Sequence, residues 1–278
     1  MAGVPQTIRV RIWRSIFLCF CGGVFAFLVA PILVIVPLSF NEDPFFSYPI
    51  SRFSLRWYAE IFCDGPQALL WQRSLVNSFI IGGSATVFAT IVGTLAALGM
   101  TNHRLPFRNT LTALMISPMV VPIVVTAIGM YYFYAQIGLV GTFPGIILAH
   151  TALGAPFVFI TVSATLVGFD RNLTRAGAIL GAPPVRVFRR VTLPLILPGV
   201  ASGALFAFAT SWDEVVVVLF LAGADQHTIP RRMWSGVRDN LSPTIIAAAT
   251  LLIALSILLM LSVEWLRRRG ERLRKAVA

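Results

Sequence analysis

The chain has 278 residues, 57% of them hydrophobic and 12% charged, with a mean hydropathy of +0.84 and a formal net charge of +11. No soluble domain of this size tolerates that composition, so the chain reads as a polytopic membrane protein. Its basic residues are not interleaved with aromatics on a soluble face, which excludes nucleic-acid binding.

Apolar stretches able to span a bilayer run at residues 16–38, 76–99, 111–135, 143–167, 199–221 and 244–264, each near the ~20 residues that a crossing requires. The expected fold is therefore all-α, with a cytoplasmic segment over 1–15, a six-helix membrane domain over 16–264 and a basic tail over 265–278. The first run follows Arg9, Arg11 and Arg14. It exceeds a signal-peptide core and lacks a small-x-small cleavage site, so a retained helix is expected. Cys19 and Cys21 fall within it and Cys63 faces the other compartment, a distribution without a disulfide framework or metal cluster.

The loop over 39–75 holds Pro44, Phe45, Phe46, Phe53, Trp57, Tyr58 and Phe62. That aromatic content predicts an interfacial helix around 55–62, with Trp57 and Tyr58 at headgroup level. Gly82, Gly83, Ser84, Ala85, Gly93, Thr94, Ala96 and Ala97 let helices approach closely where lipid supplies no hydrophobic drive. Pro118 and Pro122 interrupt the third run, as a plain kink or as part of a substrate path whose freed carbonyls need helical or wet partners.

Three histidines are spread along the chain without metal-ligand spacing. His103 and His227 fall in loops and read as solvated, and His150, inside the fourth run, as buried and hydrogen-bonded. Lys275 is the only lysine, so this chain holds no phosphate-cradling Gly-Lys-Ser/Thr loop. Neither a nucleophile elbow nor a paired-carboxylate catalytic site is present, which points to a transport subunit rather than an enzyme.

Counting Lys and Arg gives 16 on the side of the termini and the second and fourth loops against 6 on the other. The positive-inside rule then puts both termini and the loop over 168–198 in the cytoplasm. In that loop Asp170 or Asn172 can cap a short helix ended by Gly181, and Pro184 suits the first turn of a second helix through Val191. Two short helices bearing Arg175, Arg186, Arg189 and Arg190 suit docking to a soluble partner, or anchoring to lipid headgroups.

Within the fifth run, Trp212, Asp213 and Glu214 lie about 21 Å along from Gly199 at ~1.5 Å per residue. Ionised carboxylates at that depth face a wet cavity or a partner. Acid beside indole is the chemistry for a cationic solute, charge from the carboxylate and a cation–π contact from the ring. On a continuous helix the two acids diverge by ~100°, so at most one reaches a given ligand. The alternative is that one acid pairs with a partner subunit's arginine or caps a local break.

Ala176, Gly181, Leu193 and Pro194 fit a wider pattern. The segment resembles the signature loop of ABC-importer permeases: Glu-Ala-Ala, three residues, Gly, then a basic helix ending in hydrophobic-Leu-Pro. Arg175 stands for the Glu and Gly177 for the second Ala. Phe-Ser-Leu-Arg-Trp-Tyr at 53–58, Ser-Trp-Asp-Glu at 211–214 and Pro-Arg-Arg-Met-Trp at 230–234 resemble spermidine/putrescine-type permeases. The resemblance implies a type I ABC-importer permease fold in a bacterial inner membrane, spans two to six forming a core that span one wraps. It further implies coupling through Arg175, Ala176, Gly177, Gly181 and Pro194 to a cytoplasmic ATPase dimer that binds ATP and Mg, this chain holding no cofactor. A second, different permease chain, a periplasmic solute-binding protein and membrane lipid complete the implied partners. The implied substrate is a polyamine, with another amine, an opine or a small organic ion as alternatives. An ion-coupled secondary transporter would want more helices or an inverted repeat, and a channel would want a filter-like segment.

Overall fold

The computed structural model describes residues 6–45, 48–50, 52–63, 67–101, 105–239 and 242–277; Phe46, His103 and Arg104 lie outside them. An apolar medium offers no partner to a bare N–H or C=O, so spanning segments satisfy their backbone internally as helices. In chain order these are α1 (Gln6–Leu38), α2 (Arg56–Phe62), α3 (Ala68–Met100), α4 (Arg108–Val120), α5 (Ile123–Gln136), α6 (Phe143–Val167), α7 (Arg171–Ile179), α8 (Pro184–Val187), α9 (Leu193–Asp213), α10 (Val216–Leu221), α11 (Ile229–Asp239) and α12 (Pro243–Val277). Five stretches are long and apolar enough to cross a membrane, and the pair α4 and α5 makes a sixth if counted as one span.

The interruption expected in the third run is present and is more than a plain kink, because α4 and α5 are bent by 106° relative to each other. Proline disfavours helical backbone in the residue before it and donates no N–H. Accordingly Val121 is extended at φ −71° and ψ 133°, Pro122 follows at ψ 130°, and α5 restarts at Ile123. Pro118, by contrast, stays within α4.

The fifth span is corrected at both ends. The second loop helix does not stop near Val191: α8, a π-turn over Phe188–Thr192 and α9 form one continuous stretch, Pro184–Asp213. Pro194 has no N–H for the α-ladder, and just ahead of it the ladder widens, the Leu193 N–H donating to the Phe188 carbonyl five residues back. At the other end helix stops at Asp213, Glu214 is extended at ψ 121°, and α10 is a separate piece.

Helices α3, α6 and α9 form the tightly packed centre, with buried Ala89, Ala155, Val158, Val162, Ile196 and Ala207 between them. Close approach at Gly93 and Gly203 makes this possible. A Cβ on Gly93 would sit 2.7 Å from Val158 Cβ, and one on Gly203 2.7 Å from Val158 Cα. A second cluster joins α5 (Ala127, Tyr134) and α10 (Val217, Val218, Leu221) to Ile146, Ala149 and Leu153 of α6.

Helix α1 packs on α12 and is exposed along nearly all its length, so the first span does not wrap the rest of the described chain. The α2 expectation is half right. The helix forms, but Trp57 is buried and its Nε1–H donates to the Asn41 carbonyl at 2.6 Å, while Tyr58 Oη and Ser39 Oγ are 2.7 Å apart. A buried indole N–H needs an acceptor. These two bonds fold α2 back onto the start of its own loop, Trp57 packs into the bundle beside Trp71, Trp212 and Ile245, and Leu55 and Phe62 take the exposed positions.

Candidate functional site

The break after α9 is the first candidate site. Trp212 is 3% exposed and packs with rings on two sides, Phe79 at 4.8 Å and Phe208 stacked at 5.6 Å between centroids. It belongs to a cluster with Trp57 and Ile61 of α2, Trp71 of α3, and Ile245 of α12. Asp213, the last helical residue, is exposed and makes no hydrogen bond or ion pair among the described residues. Glu214 is 7% exposed, and its Oε1 accepts the Val217 N–H at 2.8 Å, closing the first turn of α10. The helical break thus separates three adjacent residues: the indole packs inside, one carboxylate is free among the described residues and the other holds the first turn of α10.

Polar side chains from neighbouring helices hold this break in place. His150 of α6 is buried as expected, with Nδ1 2.6 Å from Ser211 Oγ of α9, one turn before Glu214. Beyond α10, Arg231 donates to the Ala222 carbonyl at 2.7 Å and the Val218 carbonyl at 3.2 Å, and the Gly141 N–H donates to the Leu221 carbonyl at 2.8 Å. Asn77 of α3 donates to the Asp225 and His227 carbonyls at 2.7 and 3.1 Å, and Ser78 accepts the Ile229 N–H at 2.9 Å. His227 is half-buried rather than fully solvated, and burial, followed by Arg231 and Arg232, lowers its pKa. Asn77 escapes a reading based on motifs alone, and Arg231, although part of the 230–234 motif, escapes it in its role of holding the end of α10. The available signal is an amide and a guanidinium flanked by apolar runs, where an unpartnered polar group is costly.

The loop over 168–198 is the second candidate site. Asp170 Oδ1 accepts the Asn172 N–H at 2.9 Å, so Asp170 is the cap of α7. Gly181 sits at φ +73°, with its N–H donating to Ala178 at 3.0 Å and the Ala182 N–H donating to Gly177 at 3.1 Å. This double closure is a Schellman turn, which favours glycine at the left-handed position. Helix α7 rests on α8 where Gly177 meets Val187: an added Cβ would lie 3.0 Å from Val187 Cγ2. The Arg171 guanidinium donates to the Thr101 carbonyl, tying the loop to the end of α3. Arg175 and Ala176 lie exposed on α7, and Pro194 begins α9. Among the described residues no group of three or more His, Cys, Asp or Glu could hold a metal.

The family model for the binding-protein-dependent transport system inner membrane component matches residues 89–272. The spermidine/putrescine transport system permease protein PotC of Haemophilus influenzae is 32% identical over 250 residues, covering 89% of this chain and 95% of that one. The putrescine transport system permease protein PotI of Escherichia coli is 31% identical over 269 residues, 94% of this chain and 93% of that one. Among solved structures, a bacterial alginate ABC transporter in complex with an alginate pentasaccharide-bound periplasmic protein aligns with a TM-score of 0.71 at 16% identity. That alignment covers 95% of this chain and 96% of that one, and carries the fold alone. The chain belongs to the binding-protein-dependent transport system inner membrane component family: it is a membrane-spanning subunit of an ABC importer rather than an enzyme, and the ATPase of such systems is a separate chain.

Proposed function

We propose that this permease passes a small cationic amine, of the polyamine class, through a path that includes Asp213. The observation that carries the reading is a free, exposed carboxylate at the end of a broken span, in a chain similar to two polyamine permeases. Asp213 supplies the charge for an ammonium group. Glu214 fixes the break by accepting the Val217 N–H in the first turn of α10, and Trp212 anchors the end of α9 in the aromatic cluster, so both act through Asp213's position.

The remaining partners follow the same reading. A cytoplasmic ATPase dimer receives α7 around Arg175, Ala176, Gly177 and Gly181, and Pro194 sets the π-turn that carries loop motion into α9. A second permease chain, different from this one, completes the path, and a periplasmic solute-binding protein delivers the substrate. The chain spans a bacterial inner membrane with its termini in the cytoplasm.

The test is uptake by Asp213→Asn and Glu214→Gln variants. Losing a charge-assisted contact costs about 1.5 to 3 kcal/mol, roughly tenfold or more in transport efficiency. Asp213→Asn is expected to lower amine uptake by that factor with ATPase copurification intact, whereas Glu214→Gln, whose amide oxygen still accepts the Val217 N–H, is expected to leave uptake near wild type. Normal amine uptake by Asp213→Asn contradicts the assignment.

A further inference from the structure

The charge on the cytoplasmic loop specifies the chemistry of the surface that receives it. Helix α7 is a short, stiff ridge, capped by Asp170, closed at Gly181 and seated on Val187. Along it Arg175 is exposed, and at its end Ile179 and Leu180 are each 85% exposed. Beside the ridge, Arg186 of α8 and Arg189 and Arg190 of the π-turn are exposed as well. Among the described residues none of these four arginines pairs with a carboxylate. The only acidic residue between 168 and 198 is Asp170, whose side chain is engaged in the cap.

We propose that α7 docks into an ATPase groove with carboxylates facing Arg175 and an apolar floor under Ile179 and Leu180, so that charge sign decides which ATPase this permease accepts. The inference rests on the docking reading above and adds the partner's chemistry. Guanidinium pressed against a neutral or basic wall loses hydration with no return, whereas a carboxylate offers a bidentate, charge-assisted contact. The two exposed apolar side chains mark the part of the ridge with most to gain from burial. Anionic lipid headgroups also satisfy arginine, but in a family whose ATPase is a separate chain the helix pair must meet a protein face. A loop with a carboxylate at position 175 would present the opposite sign and select a different groove.

The test uses the intact transporter, purified from native membranes by a tag on this chain and placed in nanodiscs of neutral or anionic lipid. Wild type, Arg175→Gln, Arg175→Glu and Ile179→Asp are compared for the ATPase they retain at low and high salt. Expected are several-fold less ATPase with Arg175→Gln and roughly tenfold less or lower with Arg175→Glu. High salt should weaken wild type more than Arg175→Gln. An acid-to-arginine substitution in the ATPase groove should restore the Arg175→Glu complex. If Ile179→Asp loses the ATPase while Arg175→Glu keeps it, docking stands and the acidic groove is overturned. Full retention by both variants overturns the docking reading itself. An Arg175→Glu effect on turnover confined to anionic nanodiscs, with retention unchanged, assigns the arginine to lipid and overturns the proposal.

Discussion

Three consecutive residues, Trp212, Asp213 and Glu214, stand in three different environments because the backbone leaves the helix after Asp213. In a continuous helix Glu214 would point away from Asp213 by ~100° and compete for the same wet environment. Extended backbone at Glu214 instead turns its carboxylate onto the Val217 N–H, leaving Asp213 as the unengaged acid. The presence of acids in this run was legible from their cost in an apolar segment. Their division of labour was not, since no residue at 214 or 215 is a glycine or proline that would announce a break. Trp57 illustrates the same limit: an aromatic near a membrane boundary and an aromatic buried on an acceptor carry one sequence signal, and only the Asn41 carbonyl distinguishes them.

At the level of elements, the apolar runs were readable from length and composition, and the caps of α7 from Asp170 and Gly181. The joins were harder. Merging of α8 with α9 depends on a π-turn that absorbs Pro194, and sequence rules that treat proline as an ending miss it. The 106° turn between α4 and α5 depends on Pro122 pushing Val121 out of helical backbone. Pro122→Ala restores an N–H and frees Val121 to be helical, so the pair should straighten. Spin labels at exposed Leu114 and Tyr132 are expected to move apart, and an unchanged distance distribution would show that packing around α5, not the proline, sets the angle.

Across the whole molecule, a close-packed centre of α3, α6 and α9 carries two outward-facing features at opposite ends of α9: the α7 ridge and the acidic break. The proposed orientation, with both termini in the cytoplasm, rests on the 16 to 6 asymmetry in Lys and Arg. Cys63 is an exposed reporter in the loop between α1 and α3. With Cys19 and Cys21 replaced by serine, an impermeant thiol reagent should label Cys63 in intact cells and leave a cysteine at exposed Ala178 unlabelled until the membrane is opened. The reverse pattern would turn the molecule over and remove the docking assignment.

The most direct measurement of the central claim is ATP-driven uptake by the complete complex, its own ATPase and solute-binding protein included, reconstituted in proteoliposomes. Labelled putrescine and spermidine are offered in turn, with neutral and anionic solutes of similar size as competitors. Accumulation that requires ATP, is displaced by other di- and polyamines but not by neutral or anionic solutes, and falls about tenfold or more in Asp213→Asn is the predicted result. Amine uptake that is indifferent to ATP, or displaced equally well by an anion, would contradict the account.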